Sequence, residues 1–270
     1  MLQHPEVTPV QVGSVVFGGR SLVLIAGPCA VESADQMRAL HAPLLAAGVH
    51  ILRGGVFKSR TTPGSFQGLG EKGLQLLVEC ATHLGIPSCT EVSTLAQLER
   101  AVERVDMIQI GARSMHNTQL LRAVGRTRKP VLLKRGFGAT IDEWISAAAY
   151  IQEEGNGRIG LCELRIRTFE PRTRFTLDLA AVPIAQAVTG CPVIVDPSHA
   201  AGDRRWVSQL CCAALGAGAD GIILEVHPNP VEALSDGAQS LTPEQLLQLR
   251  AGRRLVIPPG ERSKDRKRVG

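Results

Sequence analysis

Residues 192–227 read PVIVDPSHAAGDRRWVSQLCCAALGAGADGIILEVH. A short apolar run, a longer helix-like stretch and a second short apolar run follow one another. Neither apolar run shows the polar alternation of a half-exposed strand, so both fit strands buried on two faces. Two such strands joined by a helix lie parallel in one sheet. His199 and Glu225 fall at the ends of these runs and Asp236 lies in the SDG that follows. Three metal-capable side chains therefore gather at one end of the unit.

The same unit recurs through the chain. Strand candidates are LVLIAG from 22, HILRGGVF from 50, IPSCTEV from 86, MIQIGA from 107, VLLKRG from 131, IGLCEL from 159, PVIVDPS from 192 and GIILEVH from 221. Helix candidates lie near 34–47, 70–84, 94–104, 117–125, 141–154, 176–189, 204–217 and 242–250. Eight such repeats predict an α/β fold, a (β/α)8 TIM barrel. A doubly wound open sheet is the alternative, but no G-x-G-x-x-G follows the first strand. Residues 1–21 contain VTPVQVGSVVFGG, two Val-rich runs broken at Gly13, which predicts an N-terminal β-hairpin covering one end of the barrel. The expected organisation is thus a hairpin extension over 1–21, a catalytic barrel over 22–252 and a basic, disordered tail over 253–270.

Aromatic residues make up only 3% of the 270, so the core must be built from Leu, Ile, Val and Ala. The formal charge of +5 invites a nucleic-acid reading, yet the last ten residues carry five cations against two acids and leave the body near +2. No base-stacking aromatics accompany the remaining cations, which favours anionic metabolites over nucleic acid. Seven scattered cysteines suit buried thiols in a reducing cytosol. With no apolar run long enough for a membrane span and no signal core, a soluble cytoplasmic protein is expected.

In a parallel barrel the C-terminal strand ends converge on one mouth. Cys29, Arg53, Lys58, Glu91, Arg113, Lys134, Glu163 to Arg167, His199 and Glu225 stand there. Closure places the first strand beside the eighth and so makes Cys29, His199, Glu225 and Asp236 neighbours. Each alone is ordinary; four at one rim suit one divalent ion, with Mn, Fe, Co and Zn all open. Arg53, Lys58, Arg60, Arg113 and Lys134 form a second group, suited to phosphate and carboxylate oxygens. Glu91, Glu163 and Asp196 could instead neutralise them in rim ion pairs, but the acids are outnumbered, so an anionic substrate is the preferred reading. Lys134 also resembles the Schiff-base lysine of a class of barrel aldolases, a mechanism with no use for Cys29 and His199.

Over nearly the whole chain, AGPCAVES, RGGVFKSRTTPGSFQGLG, IQIGARSMHN, VLLKRG, IRTFE, LDLAAVP, VDPSHAAGDRR, GADGIILEVHPNP and ALSDGAQSL resemble the 3-deoxy-D-arabino-heptulosonate 7-phosphate synthases of the type I beta group. The resemblance implies a metal-dependent barrel that condenses phosphoenolpyruvate with erythrose 4-phosphate, in a short form lacking a regulatory domain and hence insensitive to aromatic amino acids through one. It implies Cys29, His199, Glu225 and Asp236 as metal ligands, with Asp236 also bordering the substrate. Arg53, Lys58 and Lys134 would surround the phosphoenolpyruvate carboxylate, Arg113 and the Ala112 backbone N–H its phosphate, and Arg60 and Thr61 the aldose phosphate. Lys58 would protonate the new alkoxide, and either Glu91 or a metal-bound hydroxide would activate the water. A homo-oligomer, dimer or tetramer, is typical of the group.

Two departures stand out. Ser59 replaces a usual Pro. The pattern C-E-R-G-I-R-T-F-E, whose first Arg helps to bind phosphate, reads C-E-L-R-I-R-T-F-E here, with Leu164 and Arg165. Either Arg165 substitutes or a phosphate contact is lost. The sister synthase acting on arabinose 5-phosphate is the rival enzyme, although its loop resembles K-A-N-R-S-S. A non-catalytic scaffold is the rival from another class.

Overall fold

The computed structural model describes residues 6–19, 21–58 and 62–252. The expectations for Ser59, Arg60, Thr61 and the basic tail lie outside these residues. Strands β1 (Val10–Val12) and β2 (Val15–Phe17) pair antiparallel, as the break at Gly13 predicts. Eight parallel strands follow: β3 (Val23–Gly27), β4 (Ile51–Arg53), β5 (Ser88–Val92), β6 (Met107–Ile110), β7 (Val131–Lys134), β8 (Ile159–Glu163), β9 (Val193–Val195) and β10 (Gly221–Glu225). They close into a barrel. The closing pair is β10 with β3, in register from Gly221 opposite Val23 to Glu225 opposite Gly27.

Two apolar layers result from the period-2 alternation of the strands. In β3, Val23 and Ile25 face the barrel interior with Ile51, Cys89, Met107, Leu132, Cys162, Ile194 and Ile223. Leu24 and Ala26 face outward into the larger layer beneath the helices. Those helices are α1 (Ala34–Ala46), α2 (Glu71–Leu84), α3 (Leu95–Ala101), α4 (Thr118–Arg126), α5 (Ile141–Glu153), α6 (Ala181–Thr189), α7 (Pro197–Ala201), α8 (Val207–Gly216) and α9 (Pro243–Arg250). Ser33, Thr94, Asn117, Thr140 and Thr242 cap α1, α3, α4, α5 and α9 through their side-chain oxygens, which fixes where these helices start.

The structure departs from the sequence reading at two helices. The sixth begins at 181 rather than 176, because Thr176 forms an antiparallel bridge to Ile166. Helix α7 is additional: Asp196 accepts from the His199 backbone N–H and Pro197 occupies the first turn, so the chain coils immediately after β9.

The hairpin closes the barrel floor. Val10, Val12 and Phe17 belong to the interior layer, Gly13 packs on Pro87 just before β5, and the Thr8 N–H donates to the Gly190 carbonyl just before β9. The strands' C-terminal ends are left for chemistry. Phe17 is fully buried in this floor, so Phe17→Ala should cost about 3–5 kcal/mol in urea unfolding while metal binding at the opposite end persists; an unchanged midpoint would contradict the plug.

Candidate active site

The residues at the strand ends converge as the barrel requires. Sγ of Cys29, Nε2 of His199 and one carboxylate oxygen each of Glu225 and Asp236 all lie within 4.8 Å of one another. Cys29 Sγ is 3.2 Å from Asp236 Oδ2. His199 Nε2 is 3.3 Å from Glu225 Oε1 and 3.9 Å from Asp236 Oδ2. An ion bonded at about 2.0–2.3 Å spaces its ligands by roughly 3–4.6 Å, so a shift of a few tenths of an ångström in the widest pair lets this donor set close on one divalent ion.

The backbone brings these donors in by specific means. Gly27, at φ +152°, ends β3 where a Cβ would fall 2.0 Å from the Arg53 carbonyl oxygen, and this close approach turns Pro28 and Cys29 over the mouth. Gly55 lies so near that a Cβ would meet the Cys29 carbonyl at 2.5 Å and Lys58 at 2.8 Å. Without that side chain Lys58 folds across Cys29, its Nζ donating to the Cys29 carbonyl at 2.9 Å and lying 3.1 Å from Sγ.

Around the donors stands a shell that orients them. Asp196 Oδ2 meets His199 Nδ1 at 2.7 Å and accepts from Lys134 Nζ at 2.7 Å, while its Oδ1 accepts from the His199 backbone. With Nδ1 held in this way, Nε2 points at Glu225 and Asp236, the usual arrangement of a ligating histidine. Burial opposes the charge on Asp196, but His199 and Lys134 hold it well below the usual carboxylate range. Glu225 Oε1 accepts from Arg53 Nη1 at 3.0 Å, and its Oε2 accepts from Gln239. Asp236 sits at φ +51°, a left-handed turn that Asp tolerates. Its Oδ1 accepts from Arg174 Nη1 at 2.9 Å, which turns Oδ2 towards Cys29 and His199. Arg174, His199 and Lys58 hold Asp236 well below its ordinary range although burial works the other way.

Of the rim ion pairs set aside in the sequence reading, that of Lys134 with Asp196 exists, whereas Arg53 pairs with Glu225, one of the four donors. Lys134 is buried, which disfavours its charge, yet Asp196 outweighs burial and raises its pKa. It is held as a cation, unsuited to attack a carbonyl as a free amine. Lys58 is likewise raised, with Cys29 and Glu91 overcoming burial. Glu91 Oε2 accepts from Gln109 at 2.6 Å.

A cavity of about 130 Å³ opens beside the donors, lined by Arg53, Lys58, Glu91, Ala112, Arg113, Lys134, Leu164, Arg165, Arg174, His199 and Asp236, with Thr62 and Ser65 at its side. Every described residue expected at the substrate site lines it. Arg174 and Gln239 escaped the sequence reading, since they lie in loops away from strand ends; Arg174 is not distinguishable by pattern from Arg167 or Arg172.

Residues 7–252 match the model of the DAHP synthetase I family. The chain belongs to that family. It is 49% identical over 246 residues to the phospho-2-dehydro-3-deoxyheptonate aldolase of Thermotoga maritima, covering 91% of this chain and 73% of the relative. It is 34% identical over 256 residues to the 2-dehydro-3-deoxyphosphooctonate aldolase of Syntrophotalea carbinolica, covering 88% and 91%. The crystal structure of the Thermotoga maritima DAHP synthase superposes with a TM-score of 0.87 at 47% identity, over 92% of this chain and 73% of that one. A truncated form of the synthase from the same organism gives 0.85 at 45%, over 92% and 91%. Membership of this family accounts for the closed barrel with its N-terminal hairpin and for the cluster of potential metal ligands.

Two measurements test the donor set. Burial, then the Glu225 carboxylate, push the Cys29 thiol up to about 12 against the pull of Lys58, so the thiol is protonated at neutral pH until an ion displaces the proton. Uptake of Mn or Zn should release about one proton and tighten as pH rises between about 6 and 8; calorimetry in buffers of different ionisation enthalpy reads both, and a pH-independent affinity would count against Cys29 as a ligand. Arg174→Leu frees Asp236 to rotate and should weaken ion affinity roughly 10- to 100-fold, measured by competition with a chromophoric chelator, whereas Cys29→Ala should leave the protein without stoichiometric metal.

Proposed function

We propose that this chain condenses phosphoenolpyruvate with erythrose 4-phosphate and water to give 3-deoxy-D-arabino-heptulosonate 7-phosphate and inorganic phosphate, the first step of the shikimate pathway. The observation that carries the reading is a four-donor cluster opening on a cavity walled by cations, in a chain 49% identical to a phospho-2-dehydro-3-deoxyheptonate aldolase and 34% identical to a 2-dehydro-3-deoxyphosphooctonate aldolase. A scaffold that had lost catalysis would have no use for the complete donor set, nor for the side chains that orient it.

Cys29, His199, Glu225 and Asp236 are the residues that would hold a divalent ion, with Mn, Fe, Co or Zn suited to the mixed set. When bound, the ion supplies Lewis acidity at the aldehyde carbonyl of erythrose 4-phosphate. Arg53 and Lys134 each keep donors beyond their ion pairs and receive the phosphoenolpyruvate carboxylate, which Lys58 also borders. Arg113 and the Ala112 N–H face the phosphate. Together these cations offset the repulsion between two anionic substrates and orient C3 of phosphoenolpyruvate towards the aldehyde carbon.

Attack by C3 forms the carbon–carbon bond and leaves an alkoxide, to which Lys58 gives a proton; its site on the Cys29 edge of the cavity supports that role. Positive charge at C2 is relieved by water, whose proton passes to Glu91, positioned by Gln109. The C2 hydroxyl of the hemiketal phosphate then passes its proton to the departing phosphate as the bond between C2 and the phosphate oxygen breaks, which leaves the C2 ketone and inorganic phosphate. Arg60 and Thr61, outside the described residues, remain the proposed grip on the aldose phosphate, with Thr62 and Ser65 on the same side of the cavity.

Further expectations belong to this reading. A homo-oligomer, dimer or tetramer, is also expected. Seven unpaired cysteines suit a reducing cytoplasm, and among the described residues no helix is long and apolar enough to cross a membrane.

The test is phosphate release from phosphoenolpyruvate and Mn with each aldose in turn. Erythrose 4-phosphate should exceed arabinose 5-phosphate in kcat/KM by roughly tenfold or more. The reverse preference would move the chain to the sister activity, and no release with either would sink the enzyme reading.

A further inference from the structure

Arg165 is the buried cation that the described architecture leaves unsatisfied. It is only 4% exposed, yet it lines the cavity, and its Nε and Nη1 have no hydrogen-bond partner among the described residues. An unpaired guanidinium buried in this way costs free energy that folding alone does not repay. Arg53, Lys134 and Arg135, buried nearby, each have a carboxylate within 3.0 Å. Arg165 has no ion pair of this kind among the described residues.

What holds Arg165 in place is aromatic. Its Cζ lies 4.6 Å from the centre of the Phe137 ring and 4.4 Å from that of Phe175, and the two rings stack at 5.6 Å. Cation–π contact steadies the charge without consuming an N–H donor. Burial and the neighbouring Arg174 lower its pKa to about 10, so it is still a cation at neutral pH. Arg113 approaches the same Phe137 ring, 5.2 Å from its centre. Two guanidinium groups thus converge on one wall of the cavity.

We infer that Arg165, braced by Phe137 and Phe175 with its N–H donors unused, is the residue that receives the phosphate of phosphoenolpyruvate together with Arg113; this rests on the condensation proposed above. The phosphate is that of phosphoenolpyruvate rather than of the aldose because it is attached to C2, next to the reacting carbon. It must therefore lie close to the metal cluster, where the field of Asp236 reaches Arg165. The aldose phosphate is at the far end of a four-carbon chain. Leu164, fully buried, also lines the cavity and offers no charge. A shift of one residue within a strand would turn the side chain to the other face, but β8 ends at Glu163. Beyond it the backbone no longer obeys the alternation, and residue 165 reaches the cavity.

Arg165→Met tests this with readouts that a structural role would not share. Steady-state kinetics should give a KM for phosphoenolpyruvate raised roughly 10- to 100-fold, with the KM for erythrose 4-phosphate little changed. Thermal melting without ligand should be unchanged or higher, because an unpaired buried charge has been removed, and inorganic phosphate should raise the melting temperature of the parent but not of the variant. An unchanged KM for phosphoenolpyruvate would overturn the inference, as would a lower unliganded melting temperature with both KM values moving together. The double variant L164R/R165G moves the guanidinium back one residue and should recover most of the lost affinity; a folded double variant no better than R165M would refute substitution across the register. If the parent shows no turnover, the condensation fails, while calorimetry with inorganic phosphate on parent and R165M still decides the anion site.

Discussion

Barrel closure is the constraint on which everything else depends. The pairing of β10 with β3 brings residues separated by about two hundred positions to one rim. Cys29 follows β3, His199 lies in the helix after β9, and Glu225 and Asp236 belong to the end of β10 and its loop. An open sheet would place the first and last strands at opposite edges, and the four donors would never meet. The floor hairpin and the two apolar layers matter to chemistry chiefly because they hold this seam shut.

Electrostatics at the mouth follow from the same geometry. Parallel strands deliver cations and acids to a single dry rim, where charge must be paired or reserved for a ligand. Arg53 with Glu225 and Lys134 with Asp196 are pairs of the first kind. They keep the acids ionised and leave spare donors facing the cavity. Arg165 is held by rings instead of a counter-ion among the described residues, which is why it is proposed as a charge of the second kind.

Much of this was legible in the amino-acid order. Each barrel strand lay within an apolar run because burial on both faces removes polar alternation, and the donors could be found because strand ends in this topology converge. Helix α7 was missed although D-P-S-H carries a cap and a first-turn proline, since five residues leave too little periodicity to notice. The ion pairs of Arg53 with Glu225 and of Lys134 with Asp196 were not legible, because counting acids at strand ends cannot tell which of them face inward. Arg174 and Gln239 were out of reach: they act from loops whose course is set by tertiary contacts, such as the bridge from Ile166 to Thr176.

Asp196 carries a wider lesson for mutagenesis of this mouth. One carboxylate starts a helix, selects the imidazole tautomer and neutralises a buried ammonium. Replacing it removes three functions together, so neighbouring substitutions will be epistatic with it and their energies will not add. At such a position an activity loss identifies a hub, not a chemical role, and only double-mutant cycles with Lys134 and His199 can apportion it.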